Sequence, residues 1–188
     1  EKICILENEN MELQMIDAYK EGYEELKKGD VIYAAKKFNE AEILFPQAES
    51  APQSALMAAY SYYTQDYYGD AIAEFTIAIR ISPELVSVYL KLATTYEKIG
   101  DDGRAISSLE QAIQIERFYV DALFQLAKIY LRQRELEGSI RTLETLLKIE
   151  PRNKNAMLMR VQTYSLQGIY LICCYLYIQM FQSLYIGK

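Results

Sequence analysis

The sequence predicts an all-α fold, an α-solenoid of stacked helical hairpins, on three observations. Ala34-x3-Phe38-x2-Ala41 returns as Ala71-x3-Phe75-x2-Ala78, as Ala105-x3-Leu109-x2-Ala112 and as Ser139-x3-Leu143-x2-Leu146, at intervals of about 34 residues. A second pattern, Tyr89-x2-Leu92-Ala93-x2-Tyr96, returns as Leu123-x2-Leu126-Ala127-x2-Tyr130. Turn formers separate them: Gly29-Asp30 and Gly100-Asp101 within hairpins, and Pro46, Pro83 and Pro151 at hairpin ends. Residues three and four apart share one helical face, so each pattern is an apolar stripe, and alanine lets two facing helices approach closely.

These spacings identify the chain as a member of the tetratricopeptide repeat class. The predicted repeats lie near 15–48, 52–85, 86–119 and 120–153, with a degenerate fifth at 154–187 and an N-terminal extension over 1–14. In the first, Tyr19 and Tyr23 lie on the leading helix, Gly29 supplies a left-handed turn with Asp30 capping the next helix, and Phe38 marks the second stripe. The first interval is three residues longer than the others, which predicts an extended connection over 47–51. The second repeat packs Tyr62 and opens its second helix near Tyr68; Ser82 and Pro83 then start the third, serine as cap and proline at the first helical position. The third ends at Arg117 in place of proline, and the fourth at Pro151. In the fifth, Cys173 and Tyr177 stand where alanine and phenylalanine are expected. No repeat buries its stripe alone, so neighbours must stack.

Composition narrows the function. With 20 basic and 26 acidic residues interspersed along 188, for a net charge of −6, there is no basic stripe for nucleic acid. Histidine is absent, which removes the usual general base and metal ligand, so no catalytic, cofactor-binding or metal-ligating residue is expected. Asp101, Asp102 and Glu135 to Glu137 fall at predicted turns, where carboxylates serve as helix caps. Cys4, Cys173 and Cys174 show neither a disulfide count nor metal spacing, and the adjacent pair reads as buried apolar side chains. No targeting segment is visible, which leaves a cytosolic protein or a signal outside the sequence.

Ala18-Tyr-Lys-Glu-Gly-Tyr-Glu-Glu-Leu-Lys-Lys-Gly-Asp30, then Ala34 through Pro46 and the tyrosine-dense stretch Ser54 to Ile72, resemble the first two hairpins of the BamD family, the tetratricopeptide lipoproteins of outer-membrane β-barrel assembly. The resemblance covers about residues 11–83 and carries no catalytic residue. It implies a lipoprotein scaffold on the periplasmic side of the outer membrane that contacts barrel-assembly subunits and barrel precursors. Without it, the expectation is a generic cytoplasmic tetratricopeptide adaptor.

In either case the leading helices would line a concave groove for peptide segments or protein surfaces. Helical period places Tyr19, Tyr23, Leu56, Tyr60, Tyr63, Leu90, Thr94, Phe124, Lys128 and Arg132 there. The positions that would clamp a terminal carboxylate in some tetratricopeptide proteins hold Tyr19, Tyr23, Leu56 and Tyr60, so that use is excluded. Tyrosine gives large contact area at low entropic cost, and Lys128 with Arg132 offers a cationic end. Any one of these tyrosines can equally serve only to pack against the neighbouring hairpin; Tyr60 and Tyr63 are the strongest candidates.

From Ile169 to Ile186 the chain carries no charge. Three readings stand: a membrane-spanning helix, interrupted by Gln179, Gln182 and Ser183; an apolar end completed by a further repeat or a second chain; or a tail outside the repeat pattern. The second gives the expectation of self-association through this segment, which would make the chain an oligomer-anchored subunit; the first would make it a membrane-anchored one.

Overall fold

A computed structural model describes residues 2–44, 51–168, 172 and 175–178, with side chains from residue 10 onward and, in the third helix, from residue 53. Among them are nine helices and no strand: α1 (Lys2–Lys28), α2 (Val31–Leu44), α3 (Ala51–Thr64), α4 (Tyr68–Ile81), α5 (Val86–Lys98), α6 (Asp102–Ile115), α7 (Val120–Arg132), α8 (Leu136–Ile149) and α9 (Lys154–Leu166). The chain forms two compact units, Glu1–Ala105 and Ile106–Lys188, with α6 crossing the boundary.

In the first unit the stripe residues do what their spacing predicts. Ala34, Phe38, Ala41, Ala71, Phe75 and Ala78 have no exposed surface. The approach of α1 to α2 is tight: a Cβ on Gly22 would meet the Phe38 ring at 3.0 Å and the Ala34 carbonyl at 3.3 Å. Tyr19 meets Phe38 edge-on, 5.3 Å between ring centres. α1 is unbroken, so the residues expected as an extension continue the first helix. Residues 47–50 lie outside the described residues, and Ala51 already belongs to α3.

Four hairpins turn through one device. Gly29 N–H bonds to Leu26 O at 3.1 Å and Asp30 N–H to Glu25 O at 3.0 Å, satisfying two carbonyls that the end of α1 leaves unpaired. The same pair of bonds recurs with Asp66, Gly100 and Arg134 at the left-handed position. Glycine takes that backbone without strain; Asp66 at φ 62° and Arg134 at φ 64° do not. Asp30 and Asp101 cap as expected, accepting from the backbone N–H of Tyr33 at 3.1 Å and of Arg104 at 2.9 Å. Glu135 occupies the cap of α8 without a side-chain bond, its longer chain being a poor fit to the N-terminal amides. The third repeat begins at Val86, as bounded, but the expected roles of Ser82 as helix cap and Pro83 as first helical residue are corrected: Ser82 closes α4 through its N–H to Ala78 O, and Leu85 precedes α5. Pro83 lies in the turn, where its carbonyl accepts the Tyr89 hydroxyl at 3.0 Å.

In the second unit Leu123, Ala127, Leu143, Leu146, Leu147, Ala156 and Met157 form one core cluster. Ser139 takes the place of the usual alanine; its buried hydroxyl donates to Ala127 O at 3.0 Å, so the polar atom costs little. Tyr130 and Tyr164 sit at the same place in successive repeats, their hydroxyls facing Glu110 at 3.5 Å and Glu144 at 3.2 Å. Asn153 caps α9 by accepting from Ala156 N–H at 3.0 Å. No helix of the described residues is long and apolar enough to cross a membrane. Pro46, Cys173, Cys174 and most of the run from Ile169 to Ile186 lie outside the described residues, as does the Cys4 side chain.

Candidate partner-binding surface

The first unit gathers part of the expected groove and disperses the rest. Tyr60 and Tyr63, three residues apart on α3, lie with ring centres 6.5 Å apart and planes 30° from parallel. Tyr63 in turn meets Tyr68, at the start of α4, edge-on at 5.8 Å. The Lys91 ammonium reaches from α5 to 5.5 Å from the Tyr60 ring centre, within the range of a cation–π contact. Tyr60 keeps 48% of its surface exposed, enough for a partner to cover. The result is a row of three tyrosines capped by a cation.

The Tyr68 hydroxyl donates to the Asp66 carboxylate, and that bond, with burial second, pushes the phenol up to about 12, so it stays a neutral donor at any physiological pH. Tyr23 is exposed on α1, with Lys27 Nζ 4.8 Å above its ring and bonded to Glu24 at 2.8 Å. Tyr19 goes the other way, half-buried and packed against the core beside Met15, Ala18 and Phe38. Leu56, Leu90 and Thr94 are half-buried, and the Thr94 hydroxyl is spent on Leu90 O at 2.8 Å in its own helix. Lys91 was missed in the sequence because the groove frame selects Leu90 and Thr94; a long side chain leaning toward the helix N-terminus reaches beyond that frame.

Between α2 and α4 lies a polar cluster that the stripe patterns do not announce. Glu74 is 5% and Glu42 7% exposed; Asn39 donates its amide to one Glu74 oxygen, and the other oxygen has no hydrogen-bond partner among the described residues. Burial pushes the Glu74 carboxyl up, the Asn39 bond opposes this, and Glu42 and Asp70 add to the rise. The neighbouring Tyr62 phenol is raised by burial and then by Glu74 and Asp70. The described residues hold no group of three or more carboxylate, cysteine or histidine side chains placed to bind a metal ion.

In the second unit Phe124 is half-buried against the core cluster, whereas Lys128 and Arg132 are exposed one turn apart on α7. The second unit therefore presents cations where the first presents tyrosines.

Comparison with known proteins bears on the family and the fold. Residues 11–115 match the family model of YfiO, outer membrane lipoprotein, and residues 100–161 match a tetratricopeptide repeat model. The outer membrane protein assembly factor BamD of Caulobacter vibrioides is 31% identical over 99 residues, which is 50% of this chain and 32% of that protein. The match thus spans about a third of that curated relative's length. Among solved structures, MamA aligns with a TM-score of 0.77 at 19% identity, over 90% of this chain and 91% of that one. A tetratricopeptide repeat protein from Parabacteroides merdae gives 0.79 at 13% identity, over 92% and 67%. YrrB, described as a tetratricopeptide repeat protein with an unusual peptide-binding site, gives 0.71 at 18% identity, over 99% and 95%. At these identities the structural likeness establishes the helical-hairpin repeat fold.

Proposed function

Since this chain belongs to the YfiO family of outer membrane lipoproteins, we propose that it is a non-enzymatic scaffold of outer-membrane β-barrel assembly, acting on the periplasmic side and binding polypeptide segments of barrel precursors or of partner subunits. The observation that carries the reading is the row in which the exposed Tyr60, next to Lys91, leads into the half-buried Tyr63 and Tyr68. Rigid aromatic rings with polar tips make energetic anchors for apolar side chains of a bound segment, and the lysine can take a carboxylate beside them. Within the second unit, Phe124, Lys128 and Arg132 of α7 form a contact surface of their own in this reading.

Exchange of Tyr60 and Tyr63 for alanine tests this. Affinity for the carboxy-terminal peptide of a barrel precursor, read by fluorescence polarisation, should fall about tenfold or more, as expected when two anchors of about 1 kcal/mol or more are truncated. Unchanged affinity with intact far-ultraviolet circular dichroism ends the proposal for this face. The plain tetratricopeptide match over 100–161 favours a second reading, a cytoplasmic adaptor. Fractionation of native cells with an antibody to the chain separates the two: recovery with the outer membrane supports the first, recovery in the cytosol the second.

A further inference from the structure

The third repeat ends in Arg117 where its neighbours end in proline, and Phe118 follows with 64% of its surface exposed. Beside this pair, Thr145, Lys148 and Ile149 of α8 complete a pocket of about 540 Å³. Thr145 also lines a second cavity, of about 650 Å³, whose floor includes Ile113 of α6 and Leu126 of α7 and whose far wall carries Arg141. Because they share Thr145, the two form one trough between α6 and α8. Its floor is apolar, and α8 supplies cations at both ends.

Helical period sets this trough apart from the surface discussed above. On α7, Leu123, Leu126 and Tyr130 face the trough, while Phe124, Lys128 and Arg132 fall on the opposite side of the same helix. Charge decides what would fill it. Arg117, Arg141 and Lys148 are exposed and make no ion pair with the described residues, in a chain whose net charge is −6. Glu110, the one carboxylate lining these two cavities, faces the Tyr130 hydroxyl. A free anion would satisfy the cations and leave Phe118 and the floor wet. An apolar helix would cover the floor and strand the cations.

We infer that the trough between α6 and α8 is a second docking surface, built for a segment of another polypeptide that carries carboxylates among apolar side chains. Arg141 and Lys148 stand two helical turns apart on α8, about 10 Å, and meet carboxylates at that separation, while Phe118 and Ile149 take the apolar side chain at the open end.

The test uses the whole chain and a short fluorescein-labelled peptide in which leucine and phenylalanine are interspersed with glutamate, against the same peptide with lysine for every glutamate. The acidic peptide should bind and the basic one should not. All charge variants are read in the Tyr60→Ala/Tyr63→Ala background, so that the tyrosine row takes no part: there the double variant Arg141→Glu/Lys148→Glu should weaken binding about tenfold or more, and the milder Lys148→Gln and Phe118→Ala each a few-fold. Circular dichroism of each variant reads the fold separately. In that background, failure of the acidic peptide to bind, equal binding of both peptides, or insensitivity to the α8 charges in folded variants would each overturn the inference. So would displacement of the peptide by vesicles of equal parts phosphatidylglycerol and phosphatidylcholine, which would assign the cations to a membrane surface.

Discussion

Two turns with the same hydrogen bonds but different residues allow backbone strain to be measured in isolation. Gly100 sits at φ 80° and Arg134 at φ 64°, each closing its hairpin through the same pair of carbonyl contacts. A Cβ at Gly100 would meet no atom within 4 Å, so Gly100→Ala adds no clash and only the left-handed backbone of an L-residue. That conformation costs about 1–2 kcal/mol, against which alanine recovers about 0.4–1 kcal/mol by restricting the unfolded chain. The net loss is about 0.5–1 kcal/mol. Arg134→Gly reverses both terms and should gain about the same amount, while Arg134→Ala, which keeps the Cβ and removes only the exposed side chain, should stay near wild type. The two sites are in different units, so the double variant should return close to the starting stability. Urea unfolding followed by circular dichroism reads these as shifts of midpoint at constant slope, and thermal unfolding as about 2–4 °C per kcal/mol for a chain of this size. A loss of stability in Arg134→Gly, or no change in Gly100→Ala, would mean that contacts of the side chain rather than backbone strain set these turns, and the reasoning would fail.

Removing the ring of Phe75, which has no exposed surface, should cost about 3–5 kcal/mol, whereas Phe118→Ala should change stability by less than about 0.5 kcal/mol; urea midpoints of the pair compare a core ring with a surface one. Glu74 is held above the ordinary carboxylate range, so the folded chain keeps a proton that the unfolded chain has released. Its contribution is therefore complete below the ordinary glutamate value and is lost as pH rises through the higher folded one. Glu74→Gln should remove that decline and raise the unfolding free energy at neutral pH by about 1 kcal/mol, seen by comparing urea curves at several pH values. Gly69→Ala, in an open helical position, should gain up to about 0.5 kcal/mol, while Gly22→Ala, whose new carbon meets Phe38 and the Ala34 carbonyl, should lose about 1 kcal/mol or more despite the same helical advantage. Their thermal midpoints should move in opposite directions.

The pairing of helices was readable from the chain because its causes are local. Small residues at fixed intervals dictate where two helices can touch, as with Ala34, Ala71 and Ala105, and Gly29 and Asp30 or Gly100 and Asp101 complete a turn from residues a few positions apart. Where the local signal was ambiguous the reading slipped. Pro83 suits the first position of a helix, but Ser82 had already closed α4, so the proline stayed in the turn.

Exposure of the candidate residues depended on contacts between helices. Tyr19 and Tyr60 share the same expected face, yet Tyr19 meets the Phe38 ring and is half-buried against the core, while Tyr60 meets a lysine from another helix and stays open. The unsatisfied carboxylate of Glu74 and the trough beside Arg117 and Phe118 likewise arise where side chains from separate helices converge. The sequence alone determined the repeat and its hairpins, since helical period, small-residue spacing and turn chemistry act over a few residues. Only the tertiary structure decided which tyrosines face outward and where the cations gather, because burial and electrostatic environment belong to the space between helices and have no period along the chain.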